Sequence, residues 1–170
     1  MNVFEYAKKM ELDGIHFYQE AASGTTQPGF KKILQLLSDE EQKHYNFFDR
    51  LQQNIDPGKL PTFPADAAEN IFRQLWRNKE GFNFSAEQVE VYKKALEIEK
   101  QSERFYRVQA EKAGNEKLKE QLLLVAEEEK KHVLWALISW AYIKSPSLVS
   151  HCGLSQYKSM PCIWMDDPSR

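Results

Sequence analysis

Apolar side chains recur every three or four residues through four long stretches of the chain. This spacing places them along one face of an α-helix, so the pattern predicts four long amphipathic helices. Their expected bounds are residues 2–23, 30–52, 85–113 and 115–144. Ser85 and Gln88 have the spacing of a capping box at the start of the third helix, and Pro146 follows the fourth. The sequence therefore predicts an all-α fold.

The connections between these helices differ greatly in length. Residues 24–29 form a short turn after the first helix, and the last two helices follow each other almost directly. Residues 53–84, between the second and third helices, contain three prolines and a predicted short helix at 65–76. Short connections favour helical hairpins, whereas a connection this long is expected to cross the structure. We therefore predict a four-helix bundle of two hairpins joined by one long crossover that carries a short helix.

Composition narrows the classes of function. A length of 170 residues suits one bundle domain, predicted at residues 1–146, followed by an irregular tail at 147–170 that contains Cys152 and Cys162. The net charge of −2 favours neither a nucleic acid nor an anionic membrane, and the apolar run Val133–Ile143 is too short to span a bilayer. The first residues lack the features of a signal peptide, and the two cysteines form no CxxC pair. We expect a cytoplasmic protein without nucleic-acid or membrane partners.

The two halves of the chain repeat the same metal-binding residue types at a constant offset of 88 positions. In each half, a Glu is followed seven residues later by a Tyr, and the next helix carries Glu-x-x-His. The matched pairs are Glu11 and Glu99, Tyr18 and Tyr106, Glu41 and Glu129, and His44 and His132. Chance could supply one Glu-x-x-His, but hardly two at matched distances from a matched Glu and Tyr. The repeat therefore indicates one site built from both halves.

The six glutamates and histidines lie on the apolar faces of their helices, where charged groups are prohibitive unless something compensates them. Residues i and i+3 share a helix face, so each Glu-x-x-His can bind one metal ion. The alternative, a solvated Glu- and Lys-rich face with a chance histidine, leaves the repeat unexplained. Four carboxylates balance two divalent ions, and oxygen-rich ligation favours iron over a structural zinc site. We expect two iron ions, with manganese or zinc as substitutes.

This double motif resembles the ferritin-like superfamily and, within it, the erythrin domain of rubrerythrin-related proteins. The resemblance covers about residues 2–144 and implies a ferritin-like four-helix bundle with a di-iron site. It implies that Glu11 and Glu99 are terminal ligands, that Glu41 and Glu129 bridge the metals, and that His44 and His132 cap them. Tyr18 and Tyr106 would then hydrogen-bond the ligand carboxylates.

The sequence departs from that family in two places. Rubrerythrins carry a further ligand Glu one turn after the Glu of the third helix, and here that position is Ser102. Glu103 is adjacent, but it points about 100° away around the helix. A rubredoxin-like module would need two CxxC pairs, and this sequence has none. We therefore expect reducing electrons to come from an external donor protein.

The resemblance implies a non-haem di-iron peroxidase that reduces hydrogen peroxide to water. Two alternatives stay open, because related bundles host all of these functions: an oxidase or ferroxidase that uses dioxygen, and a metal-binding or iron-buffering protein without turnover. The run Val133–Ile143 is apolar on all sides of its helix. That composition predicts burial on more than one side, against the crossover helix or a second copy in a homodimer.

Overall fold

The computed structural model describes residues 2–77 and 85–144, and all regular structure there is α-helical. The predicted tail at 147–170, with Cys152 and Cys162, lies outside these residues. The described helices are α1 (Val3–Gly24), α2 (Pro28–Gln52), α3 (Ala65–Arg77), α4 (Ala86–Glu111) and α5 (Glu116–Lys144). The predicted all-α fold is confirmed, with four long helices and one short helix in the crossover.

Local capping fixes where the long helices begin. The Asn2 side chain accepts a hydrogen bond from the Glu5 N–H at 2.9 Å, and the Glu5 carboxylate accepts one from the Asn2 N–H at 3.0 Å. Ser85 and Gln88 make the same reciprocal pair at the start of α4, as their spacing predicted. The second helix starts two residues earlier than expected. Pro28 lies in its first turn, where proline has no N–H to leave unpaired.

The long helices form the two predicted hairpins. Helix α1 packs on α2 and α4 packs on α5, whereas α3 packs against α2. Each hairpin contributes to two apolar clusters, one on either side of the middle of the bundle. The two clusters contain equivalent positions of the sequence repeat. Ala22 and Leu34 lie in one cluster, and their counterparts Ala110 and Leu122 lie in the other. The architecture is therefore a ferritin-like bundle of two related halves.

The crossover covers part of the apolar run in α5. Trp135 and Ala136 are each 5% exposed, and Phe63 and Ile71 of the crossover pack in the same cluster as Trp135. This contact accounts for one side of the run, and the predicted homodimer stays a prediction. None of the helices in the described ranges has the length and hydropathy that a membrane span requires.

Candidate metal centre

Six ionisable side chains meet in the middle of the bundle, between the two apolar clusters. None of them exposes more than 3% of its surface. Each long helix contributes at least one, and the six are Glu11, Glu41, His44, Glu99, Glu129 and His132. The structure thus brings together all six residues that the sequence singled out, from helices far apart in the chain. Their role as ligands stays a prediction.

The six residues form two overlapping groups. Within each group, one donor atom from every residue lies within 4.8 Å of the others. The first group is Glu11, Glu41, His44 and Glu129, and the second is Glu41, Glu99, Glu129 and His132. Glu41 and Glu129 belong to both, so the two groups form a binuclear site with two shared carboxylates.

The donor atoms converge, and several of them lie within ion-pair distance of one another. His44 Nδ1 lies 2.8 Å from Glu129 Oε1, and His132 Nδ1 lies 3.4 Å from Glu129 Oε2. Even so, seven buried nitrogen and oxygen atoms of this cluster have no hydrogen-bond partner within the described part of the chain. Buried polar groups are almost always satisfied, and unsatisfied ones call for an explanation such as a bound ion. Carboxylate oxygens and imidazole nitrogens left free in this way fit a pair of metal ions.

In each hairpin, the hydroxyl of one tyrosine donates a hydrogen bond to a glutamate of the other hairpin. The Tyr18 hydroxyl on α1 donates a hydrogen bond to Glu99 Oε1 on α4, and the Tyr106 hydroxyl on α4 donates one to Glu11 Oε1 on α1. Both tyrosines are fully buried. These bonds occupy one oxygen of each carboxylate and leave the other facing the cluster. The tyrosines therefore orient the two carboxylates that the resemblance assigns as terminal ligands.

Two of the carboxyl groups are driven toward their neutral forms in the metal-free protein. Burial, with the like charges of Glu129, Glu11 and Glu99, raises the pKa of Glu41 well above its usual 4.5. Burial also raises the pKa of Glu99 to about 7, although the nearby His132 opposes the shift. Unneutralised, this core would hold several negative charges out of water, and the protein relieves that repulsion by taking up protons.

The two histidines and Glu129 are instead held in their charged forms. Burial alone would lower the pKa of His44, but the negative carboxylates of Glu129 and Glu11 raise it to about 10. The pKa of His132 is likewise raised by Glu99, Glu129 and Glu41 against the effect of burial. Burial would raise the pKa of Glu129, yet the charged His44 and His132 hold it well below 4.5. In the metal-free site, bound protons thus offset the negative charge that metal ions would otherwise neutralise.

Comparison with known families agrees with this geometry. The family model described as Rubrerythrin matches residues 90–138, which hold the Glu99, Tyr106, Glu129 and His132 half of the site. Over these residues the chain is similar to the rubrerythrin family. Searches of curated proteins and of solved structures gave no match. The first hairpin lies outside the matched residues, but it supplies the same residue types through the internal repeat.

The position one turn after Glu99, where the resemblance implies a further ligand Glu, carries no carboxylate. Ser102, one turn later, is buried, whereas Glu103 belongs to neither donor group. The Glu103 carboxylate instead accepts hydrogen bonds from Arg107 Nε and Nη2 at 2.9 and 2.8 Å. The repeat counterpart of Ser102 is Gly14, where an added Cβ would lie 3.4 Å from the Glu41 carboxylate. Because Ser102 and Gly14 carry no carboxylate, neither position adds a donor to the six residues of the two groups.

The sequence analysis did not predict a contact between the crossover and the metal centre. The repeat matches Glu128 with Glu40 but predicts no contact for it, whereas in the structure it is 5% exposed and its Oε2 accepts a hydrogen bond from the Phe63 N–H at 3.1 Å. The Phe63 ring packs edge-on against His132, with the ring centres 5.2 Å apart. The repeat did offer a signal that this position is constrained. Glu40 and Lys43 are equivalent to Glu128 and Lys131, and in each half the Glu forms an ion pair with the Lys.

Proposed function

We propose that this chain is a di-iron peroxidase that reduces hydrogen peroxide to water with electrons from an external donor protein. The observation that carries the proposal is the pair of overlapping donor groups that share Glu41 and Glu129. Six buried ligands with a net charge of −4 suit two divalent ions, because the loaded core is then neutral. Iron bound there would supply Lewis acidity and electrons, chemistry that no side chain of this site offers.

The chain's own residues have three tasks in this proposal. The four carboxylates and two histidines would hold the two ions together between the hairpins. Tyr18 and Tyr106 keep Glu99 and Glu11 from rotating, because each hydroxyl anchors one carboxylate oxygen. The two apolar clusters on either side exclude water from the site, which strengthens every electrostatic interaction within it.

The external donor is proposed because peroxide reduction consumes two electrons per molecule and the site must be re-reduced in each cycle. A rubredoxin-like module would need cysteine pairs, and the given sequence holds only Cys152 and Cys162. An electron-transfer protein docking on the bundle is therefore the proposed partner. Use of dioxygen as the oxidant is the second candidate, because the same six residues would hold the metal pair for either oxidant.

The deciding experiment is anaerobic loading with Fe(II), followed by rapid mixing with hydrogen peroxide or with dioxygen while the diferric absorbance is recorded. We expect oxidation by peroxide to be at least about tenfold faster, which corresponds to a barrier lower by about 1.4 kcal/mol. Steady peroxide consumption with an added reductant completes the case. Faster oxidation by dioxygen would instead identify an oxidase or ferroxidase. A two-iron protein that responds to neither oxidant would be a metal-binding protein without turnover.

The change Tyr18→Phe tests the orienting role of the tyrosines. We expect the variant to keep two metal ions per chain but to oxidise at a changed rate, because Glu99 is free to rotate. Without metal, the variant should lose about 1–3 kcal/mol of stability, since a buried carboxyl oxygen has lost its hydrogen-bond partner. Metal analysis, urea unfolding and rapid mixing provide the measurements.

Tyr45→Phe is the matched control for this change. Tyr45 lies on α2, is only half-buried, and contacts Lys8 rather than the metal centre. The control should leave oxidation rates unaltered. Identical rates for wild type and Tyr18→Phe would reduce Tyr18 to a packing residue.

A further inference from the structure

The crossover spans the level of the metal centre. Leu60 packs in the apolar cluster on one side of that level, and Phe63 packs in the cluster on the other side. Both side chains are buried, whereas the two residues between them are exposed. Pro61 and Pro64 each follow one of the buried residues, and a residue before proline is restricted to extended conformations. Residues 60–63, called the strap, thus join the two clusters as a stiff segment.

One buried hydrogen bond fixes the strap to α5. The Phe63 N–H donates to Glu128 Oε2 at 3.1 Å, and the other oxygen of that carboxylate, Oε1, pairs with Lys131 Nζ at 2.6 Å. Glu128 is 5% exposed, so the bond is shielded from water. The strap is therefore anchored to the helix that carries His132, within one turn of that residue.

The His132 ring lacks the hydrogen bond that usually fixes a ligand histidine. Its Nδ1 lies 3.3 to 3.4 Å from oxygens of three carboxylates, so a metal ion would bind at that nitrogen. Its other nitrogen, Nε2, is buried and has no hydrogen-bond partner within the described part of the chain. A ligand histidine normally donates its second N–H to a carboxylate, a carbonyl or water, which sets the orientation of the ring. Here the orientation must come from packing.

Phe63 supplies this packing. Its ring lies edge-on to the His132 ring, with the centres 5.2 Å apart and the planes at 64°. The same ring packs against Trp135 at 5.8 Å, which holds it on a second neighbour. Among the described residues, the only ring contact of His44 is with His132 itself, at 5.4 Å. The strap therefore reaches the metal centre through His132 and not through His44.

We propose that Phe63 is a positioning residue for His132, and that Glu128 holds it in place through the strap. With the Phe63 ring present, His132 Nδ1 keeps facing the carboxylates. Without it, the imidazole is free to turn about its side-chain bonds and to release its metal ion. The inference rests on metal binding at the proposed centre, but not on the identity of the oxidant. It assigns the crossover a role in retaining metal, beyond connecting the two hairpins.

Release of Zn(II) to an excess of chelator tests this role, with the full-length protein loaded with two zinc ions. The change Phe63→Leu keeps an apolar side chain but removes the ring. We expect this variant to release at least one ion about tenfold faster than wild type, the size of effect seen when a partner of a ligand is lost. In NMR spectra of the zinc-loaded protein, the imidazole signals of His132 should shift more than those of His44.

Two changes at Glu128 separate positioning from packing alone. Glu128→Ala keeps the Phe63 ring but removes its anchor, so zinc release should again be faster than in wild type. In Glu128→Gln, the side-chain carbonyl oxygen can still accept the hydrogen bond from the Phe63 N–H. This variant should therefore release zinc at close to the wild-type rate. The pair carries the test by itself if Phe63→Leu does not fold.

Phe30→Leu is the matched control. Phe30 is 2% exposed and packs in the same apolar cluster as Phe63, and its ring stacks on Tyr92 at 4.8 Å. The control should release zinc as wild type does and leave the His132 signals in place. Equal release from wild type and Phe63→Leu, equal acceleration in Phe30→Leu, or no recovery in Glu128→Gln would each overturn the proposal.

The role of Phe63 and the proposed peroxidase fail in different ways. A wild-type protein that binds no zinc would overturn the metal centre and, with it, the role of Phe63. A protein that retains zinc as expected, but whose iron form does not react with peroxide, would contradict only the peroxidase.

Discussion

We expect the change Glu41→Ala to reduce the metal content from the proposed two ions per chain to at most one. Glu41 belongs to both donor groups, so its loss removes one oxygen ligand from each metal position. The three remaining carboxylates also no longer balance the charge of two divalent ions in the buried site, which weakens binding at both positions. Glu129→Ala should have the same effect for the same reason. Metal analysis after anaerobic loading with Fe(II) or Mn(II) and desalting makes the measurement.

Glu127→Ala is the control for these two changes. Glu127 lies on the same helix as Glu129, but its side chain is 54% exposed and it pairs with Arg107 at 2.8 Å on the surface. An exposed pair contributes at most about 1 kcal/mol, so this variant should fold and hold two ions. If Glu41→Ala and Glu129→Ala both retained two ions, the assignment of the bridging ligands would be wrong.

Metal binding should also raise the thermal stability of the protein strongly. Metal ions bind the folded site and not the dispersed ligands of the unfolded chain, so they stabilise the fold by mass action. At a free concentration about a thousand times Kd, the gain is about 4 kcal/mol per site. For a chain of this size, such a gain raises Tm by at least about 8 °C. Circular-dichroism melts with Zn(II) and with a chelator compare the two states.

The stabilisation should grow with pH. In the metal-free protein, burial raises the pKa of Glu99 to about 7, and the pKa of His44 is raised to about 10 by its carboxylate neighbours against the effect of burial. Both groups bind protons more tightly in the folded than in the unfolded state. The metal-free fold therefore loses stability as the pH rises from 4.5 through about 7 for Glu99, and from 6.5 through about 10 for His44. Metal ions need the deprotonated ligands, so the rise in Tm should be larger at pH 8 than at pH 6.

The Glu41→Ala variant separates this effect from non-specific binding of metal. It should lose most of the rise in Tm, because the paired site is gone. An equal rise in wild type and variant would mean that the ions bind elsewhere on the chain. A rise that shrinks as the pH increases would contradict the proton displacement.

Much of the fold followed from local rules that a single sequence displays. The capping pair Ser85 and Gln88 predicted the start of α4, because a cap is satisfied by residues three positions apart. Helical periodicity predicted four long helices, and loop length predicted which of them pair. The structure begins α2 two residues before the predicted bound, because Pro28, which the prediction assigns to the turn, is the first residue of the helix.

The candidate site could be predicted from the sequence because the same motif occurs in both halves of the chain. One Glu-x-x-His is ambiguous, but two copies with a matched Glu and Tyr indicate a site that both halves build. Contacts that depend on the crossover had no such signal. The hydrogen bond from Phe63 to Glu128 joins residues 65 positions apart, and neither residue shows its partner in its local pattern.

The sequence by itself determined the helices, their pairing, and the six residues that converge between them, because helical faces and short connections are local properties of the chain. Tertiary structure decided how those residues meet. It decided that each tyrosine reaches the carboxylate of the other hairpin, that Glu41 and Glu129 lie between two donor groups, and that Phe63 lies against His132. These features depend on the packing of four helices and the crossover at once, and packing is a property of three-dimensional contacts that periodicity does not encode.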